Sequence, residues 1–282
     1  MYLWIATNWQ PRQPQHLYKD KPRPLNCGHR GAAALAPENT MLAFQAALKA
    51  GAPAVEFDVM FTSDRQLIVF HDYNLEKRLT SKGKISSMTL AQLQAIDISP
   101  YYSEHHPDKA MPEAFRLVRI PTLDEVLQFY SKYRDIILNI ELKNEDLVDR
   151  GLERAVAEQI RKYNLQGRSI VSSFNPFSLW RFRRIMPEIP RGLIYSPKNP
   201  IYIRQLWFWR LAQPDALHPD HKLVNAEYMT WARKRGFAVH VWTVNKTDDI
   251  KRMISLGVDM IITDYPDRMS QILQRSARPS EK

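Results

Sequence analysis

The feature that most constrains this chain is a rhythm. From about residue 25 to the end, short apolar segments rich in β-branched residues alternate with longer helical patterns. "LNCGHRG" reads as a strand. A helix is expected to begin near Pro37-Glu38-Asn39-Thr40, run through "MLAFQAALKA" and stop at Gly51. "AVEFDVMFT" is the second strand. "SDRQ" is too short to hold a crossover helix, so "LIVFHD" should return antiparallel as a hairpin. "IILNIELK", "SIVSSFN", "RGLIYS", "DALHP", "AVHVWTV" and "MIITDYP" follow, and helical patterns at 146–163, 176–186, 225–235 and 247–256 separate most of them. With the hairpin return set aside, eight strands remain in a β-α rhythm. That count suits a (β/α)8 TIM barrel, with a doubly wound open sheet as the lesser choice.

The barrel is expected as a single domain over residues 25–275, after an irregular lead-in at 1–24 packed across its outside. Residues 73–120 break the rhythm and read as a small insertion, with one helix near 89–95, over the barrel mouth. The chain has 282 residues, 44% of them hydrophobic and 25% charged, enough apolar side chain for a sizeable core. Its one cysteine, Cys27, rules out an internal disulfide framework and reads as a packing residue within a strand. The lead-in has no long apolar stretch that would mark a secretory signal, and no apolar run approaches the roughly 18 residues of a spanning helix. A cytoplasmic protein is expected. A net charge of +10 admits nucleic acid, anionic membrane or phosphorylated small molecules as partners. No zinc-finger spacing or RNA-binding aromatic signature accompanies it, so no nucleic acid partner is expected. Much of the charge, such as Arg154, Arg161 and Lys162, falls on helix surfaces.

The chemistry gathers at strand ends. Glu141 and Lys143 in "ELKNE" are two apart on a strand and so share a face. Glu56 and Asp58 do the same, opposite Val55, Phe57 and Val59. In a parallel barrel the carboxyl ends of the strands meet at one mouth, which would also receive His29, Arg30, His71 and Asp72. Buried charges must be paired or bound to metal. Glu56, Asp58 and Glu141 offer an all-oxygen site suited to magnesium, calcium or manganese rather than zinc. The structural alternative pairs each carboxylate with Arg30 or Lys143. His29 and His71 invite paired acid–base work. Arg30 and Lys143 suit phosphate oxygens. His16, His105, His106, His218, His221 and His240 read mostly as structural, although His240 shares a strand face with Trp242 and could reach the mouth.

"GHRGAAALAPENTMLAF", "EFDVMFTSDRQLIVFHD", "NIELK", "VHVWTVN" and "GVDMIITDYP" occur in the order found in the glycerophosphodiester phosphodiesterases, which the chain resembles over roughly residues 27–270. The resemblance implies a TIM-barrel enzyme that uses a divalent cation to hydrolyse glycerophosphodiesters to glycerol 3-phosphate and an alcohol. It implies His29 and His71 as acid and base, Glu56, Asp58 and Glu141 as metal ligands, and Arg30 and Lys143 as phosphate contacts. Glu38 and Asn39 in "PENT" would cap the first helix and brace the site. Trp242 would pack against the glycerol side of the substrate, or serve as a plain core tryptophan.

"NPIYIRQLWFWRLAQP", at 199–214, is not absorbed by that reading. It is either an ordinary helix with its aromatics against the barrel or an amphipathic lip touching lipid through Trp207, Phe208 and Trp209. The lip would make the enzyme peripheral to a membrane and its substrate a lysophospholipid, cut by a lysophospholipase D reaction. A barrel that only binds phosphorylated ligands is the non-enzymatic alternative.

Overall fold

The computed structural model describes residues 9–12, 14–77, 81–103, 106, 111–144 and 147–277, the side chains of residues 77, 276 and 277 aside. The strands are β1 (Leu25–Gly28), β2 (Ala54–Phe61), β3 (Leu67–Val69), β4 (Ile137–Leu142), β5 (Ser169–Ser173), β6 (Arg191–Tyr195), β7 (Ala216–Pro219), β8 (Ala238–Val241) and β9 (Met260–Thr263). Their hydrogen-bonded order is β1-β9-β8-β7-β6-β5-β4-β2, and β1 pairs back onto β2. Among the described residues, eight parallel strands thus close into a (β/α)8 barrel. β3 is the antiparallel return, pairing Val69 with Val59.

The period of two along each strand divides the side chains between two environments. Val55, Phe57 and Val59 point out and pack with Leu138, Ile140 and Leu142 beneath Val126, Val156 and Ile160 of the surrounding helices. Leu193, Leu217, Val239 and Ile261 do the same on the other half, beneath Met229, Ile250 and Met253. The opposite set, which includes Leu25, Cys27, Ala54, Ile137, Ala216, Ala238 and Met260, forms a separate apolar cluster inside the barrel. Cys27 is fully buried there.

Two expectations about local structure change. The first helix is Met41–Lys49, and its N-cap is Thr40, whose hydroxyl accepts from the Ala43 N–H. Glu38 and Asn39 are therefore not its caps. The helix expected from 146 spans Leu152–Lys162 after Gly151, which holds a φ of 80°; residues 145 and 146 lie outside the described set. The sharp reversal after β1 depends on Gly31, where φ is +87° and a Cβ would come 2.6 Å from the Ala43 backbone.

The lead-in does more than cross the outside, although residues 1–8 fall outside the described set. Gln15–Tyr18 is a short helix, and Leu17 and Tyr18 join the interior cluster at the amino-terminal ends of the strands. The backbone N–H of Arg12 donates to Asp215 at 3.1 Å. The insertion contains helices Leu90–Gln94 and Pro100–Ser103 and a core of its own, in which Leu75, Ile85, Leu93, Ile98 and Tyr101 pack on Met60, Ile68 and Phe70 of the hairpin. The 199–214 segment is two short helices, Ile201–Arg204 and Trp209–Ala212, rather than one. Among the described residues no helix is long and apolar enough to cross a membrane.

Candidate active site

At the carboxyl end of the barrel, β2 presents Glu56 and Asp58 inward, and β4 pairs in register so that Glu141 stands beside Asp58. One carboxylate oxygen from each of the three lies within 4.8 Å of the others, and Glu56 and Asp58 are buried. Two oxygens that each ligate calcium at about 2.4 Å can be no more than about 4.8 Å apart, so the spacing fits a single hard cation.

Around this triad the side chains are heavily cross-linked. The Arg30 guanidinium donates to Glu38 at 2.7 Å, and its Nε lies 3.4 Å from Asp58. The Arg30 backbone N–H donates to Glu56 at 2.9 Å, from a residue with a φ of 49°. The Asn39 amide donates to Asp58 at 2.9 Å and its carbonyl accepts the Asp58 N–H at 3.3 Å. Lys143 reaches Glu141 at 3.3 Å and Asp58 at 3.7 Å, beneath the Tyr73 ring. Arg30 and Lys143 are thus committed to carboxylates while facing the mouth, and Glu38 and Asn39 hold the pair Arg30–Asp58 in place.

The electrostatics follow from burial and sign. Burial, together with Asp58 and Glu141, pushes the Glu56 carboxyl up to about 8. Burial also disfavours the Asp58 anion, but His71, Lys143, Arg30 and the Asn39 hydrogen bond outweigh it and hold Asp58 at about 2. Burial lowers the Lys143 ammonium, and Glu141 and Asp58 overcome it to give a net rise.

Both imidazoles have an aspartate behind them. His29 Nδ1 lies 2.6 Å from Asp264, and its Nε2 is 3.9 Å from Glu56. Burial and Arg30 push the His29 pKa down, but Asp264 and Glu56 prevail and the net shift is upward. His71 Nδ1 lies 2.9 Å from Asp72, which also accepts from the Tyr101 hydroxyl of the insertion at 3.2 Å.

His29, Arg30, Glu56, His71 and Glu141 share a cavity of about 260 Å³ with Asn139, Phe174, Ile194, His218, Trp242 and Ile262. Trp242 donates its indole N–H to the His218 carbonyl at 2.8 Å and stands edge-on to Phe174. Lys143 lines an adjoining cavity of about 460 Å³, which shares Glu141 and Phe174 with the first.

The sequence reading missed several members. Asp264 ends β9 inside the quoted "TDYP", yet nothing in that string marks it as the partner of His29. Asn245, in "WTVN", holds Asp264 through side chain and backbone. His218 lines the cavity, whereas His240 is turned beneath it, between Tyr18 and His218. His105 lies outside the described residues. Of the aromatic trio, Trp207 and Phe208 are exposed, but Trp209 is not part of a lip. Its ring packs against Trp9 and Phe237 at 5.9 and 5.5 Å.

Fold and site together define a barrel phosphodiesterase, and comparison with known proteins narrows this to one group. The profile of the glycerophosphoryl diester phosphodiesterase family matches residues 29–268. A glycerophosphodiester phosphodiesterase of Caldanaerobacter subterraneus is 32% identical over 252 residues, covering 89% of this chain and 98% of that protein. One from Bacillus altitudinis is 34% identical, covering 86% and 96%. Among solved structures, a Silicibacter pomeroyi protein superposes with a TM-score of 0.82 at 29% identity, covering 94% and 98%. A phosphodiesterase of Oleispira antarctica, solved with the product sn-glycerol-3-phosphate, superposes with a TM-score of 0.74 at 27% identity, covering 89% and 97%. The chain belongs to the glycerophosphoryl diester phosphodiesterase family and is by that membership an enzyme of phosphodiester hydrolysis.

Proposed function

We propose that the chain hydrolyses glycerophosphodiesters to glycerol 3-phosphate and an alcohol, with His29 and His71 as the acid–base pair. The observation that carries this reading is one cavity lined by two aspartate-backed imidazoles and by Glu56 and Glu141, which with Asp58 behind them form a carboxylate triad. With Nδ1 engaged by Asp264 or Asp72, each imidazole keeps Nε2 to take or give a proton. One removes the proton of the attacking hydroxyl, either water or the neighbouring glycerol hydroxyl. The other protonates the departing alcohol oxygen. Attack by the glycerol hydroxyl gives a cyclic phosphate, which water then opens with the two roles exchanged. Arg30 and Lys143 orient the phosphoryl oxygens from the mouth's rim.

Glu56, Asp58 and Glu141 would hold magnesium, calcium or manganese, and such an ion, when bound, supplies positive charge for the phosphoryl oxygens. The test is release of glycerol 3-phosphate from glycerophosphocholine, first with chelator and then with each cation restored. Turnover that returns with one cation supports the reading. Absence of turnover with every cation sinks it.

A second reading concerns the alcohol. The adjoining cavity is lined by Leu147, Phe177, Tyr202, Ile203 and Phe208, and Ile201 and Trp207 stand exposed at 49% and 61% on the same segment. This apolar rim suits an alcohol carrying an acyl chain, as in a lysophospholipid, cleaved by a cytoplasmic enzyme in peripheral contact with a membrane. Turnover of lysophosphatidylcholine vesicles, lost in Trp207→Ala/Phe208→Ala while glycerophosphocholine is still cleaved, supports it. Equal loss on both substrates counts against it.

A further inference from the structure

The floor of the catalytic cavity contains two buried polar atoms that the protein itself does not satisfy. His218 and Asn139 both line the cavity, at 0% and 1% exposure. Among the described residues, His218 Nδ1 and Asn139 Nδ2 have no hydrogen-bond partner. Buried polar groups are almost always paired, and leaving one unpaired is unfavourable, so two around one cavity point to a ligand.

The chemistry of each atom can be worked out from its neighbours. Asn139 Oδ1 already accepts from the Ser172 hydroxyl at 2.9 Å, which leaves its NH₂ as a pure donor. The state of His218 is set from below. The Tyr18 hydroxyl meets His240 Nε2, and His240 Nδ1 meets His218 Nε2 at 2.9 Å. Among the described residues Tyr18 has no other acceptor for its proton, so it donates to His240 Nε2. His240 must then carry its proton on Nδ1 and donate to His218 Nε2, and His218 must carry its own on Nδ1. Burial drives both histidines downward, His218 to about 3, so both are neutral. The fold reserves the space for this ring: a Cβ at Gly192 of β6 would come 2.2 Å from His218 Nε2.

We infer that His218 Nδ1–H and Asn139 Nδ2–H bind hydroxyl oxygens of the substrate's glycerol arm, with Tyr18 and His240 as positioning residues that fix the His218 tautomer. This rests on the function proposed above. Neutral donors match neutral hydroxyls; Asn139 lies two residues deeper than Glu141 on β4, whereas the charged groups Arg30 and Lys143 stand with the carboxylates at the mouth, where the phosphate belongs. The lead-in thereby contributes to substrate recognition from the opposite end of the barrel.

The test compares binding of sn-glycerol 3-phosphate with that of inorganic phosphate, by calorimetry on the full chain in one magnesium buffer, so it does not depend on turnover. The parent should bind glycerol 3-phosphate more tightly than phosphate. His218→Met should weaken glycerol 3-phosphate about 3- to 10-fold and leave phosphate unchanged. His218→Gln, which keeps an N–H donor, should recover part of the loss. Tyr18→Phe is the gentler variant, and nitrogen shifts of labelled histidine should show the His218 proton no longer confined to Nδ1, with a smaller loss of glycerol 3-phosphate affinity. Equal parental affinity for the two ligands, or equal weakening of both in His218→Met, overturns the inference. So does a Tyr18→Phe protein whose histidine shifts and affinities match the parent. Failure to cleave glycerophosphocholine with these binding differences intact would instead overturn the proposed reaction.

Discussion

Asp264→Asn is the substitution that best tests the acid–base reading. Asp264 is 5% exposed, lies 2.6 Å from His29 Nδ1 and accepts from the Asn245 amide through its other oxygen. An asparagine of the same shape would keep its carbonyl toward Asn245 and turn its NH₂ toward His29. His29 Nδ1 would then accept instead of donate, and Nε2 would carry the proton in the neutral ring. That removes the basic lone pair from the reacting side, and kcat should fall about 10²- to 10⁴-fold, the usual worth of a positioned acid or base. In barrier terms this is about 3–5 kcal/mol. The pH profile should move as well. Asp264 and Glu56 hold the His29 pKa up against burial and Arg30, so removing the Asp264 charge lowers it. Whichever limb of the kcat/KM profile reports His29 should shift to lower pH, whether the residue is acid or base. Steady-state rates across the pH range, with melting temperatures to confirm folding, provide the assay. A folded variant with parental kcat and unmoved limbs would refute the role given to His29 and Asp264.

Other consequences concern stability and the second imidazole. Asp72→Asn should lower kcat by a comparable factor through His71, and unchanged glycerophosphocholine turnover would remove His71 from the pair. Asp215 lies 2.6 Å from the fully buried Arg191, so Asp215→Ala strands a cation and should cost about 3–5 kcal/mol in urea unfolding; a loss under about 1 kcal/mol would show the pair to be dispensable. His218, held at about 3 by burial, is neutral when folded and takes up a proton on unfolding only below its ordinary value near 6.5. The stability it contributes is complete above about pH 6.5 and declines toward pH 3, by about 1.4 kcal/mol per pH unit. Urea midpoints across that window should slope less in His218→Gln than in the parent.

The barrel was legible because strand repetition and turn spacing are local properties. Val55, Phe57 and Val59 alternate with Glu56 and Asp58, so "AVEFDV" announces both a core face and a mouth face within six letters, and Glu141 with Lys143 repeats the pattern. What escaped depends on closure. His29 and Asp264 meet only because β1 pairs with β9 across the seam of the barrel, with Cys27 opposite Ile262 and Gly28 opposite Thr263. His218 and His240 look alike in sequence, each a histidine on an apolar strand, and they stand in the same register on β7 and β8; only the contact of His240 with Tyr18 of the lead-in marks it as buried support while His218 lines the cavity. The lead-in was harder still. Leu17 and Tyr18 sit in a polar, proline-containing stretch with no periodicity, and their burial is decided by the open base of the barrel, which no local pattern encodes. Trp209 turned inward for a similar reason: the break at Leu206, which has a φ of 58°, gives the second short helix its own orientation.

The charge at the mouth leads to a prediction about the metal-free protein. Glu38, Glu56, Asp58, Asp72, Glu141 and Asp264 crowd around two permanent cations, Arg30 and Lys143, and the strain falls on Glu56, whose pKa rises to about 8 through burial, Asp58 and Glu141. A carboxyl raised in this way favours the folded state while protonated, and that contribution is lost as pH rises from about 4.5 through 8. Chelated protein should therefore weaken across this window by about 1.4 kcal/mol per pH unit, on the order of 5 kcal/mol in all. Glu56→Gln, which cannot ionise, should escape the decline and exceed the chelated parent in stability at pH 8. Saturating magnesium or calcium should narrow that gap by raising the parent more than the variant, because a ligand at 100 times its Kd stabilises the fold that binds it by about 2.7 kcal/mol and the variant lacks one of three charged donors. Melting curves of both proteins, chelated and metal-saturated at the two pH extremes, test this. Equal cation-induced shifts in parent and Glu56→Gln would mean that the ion, if bound, is held elsewhere, and the triad would lose its assignment.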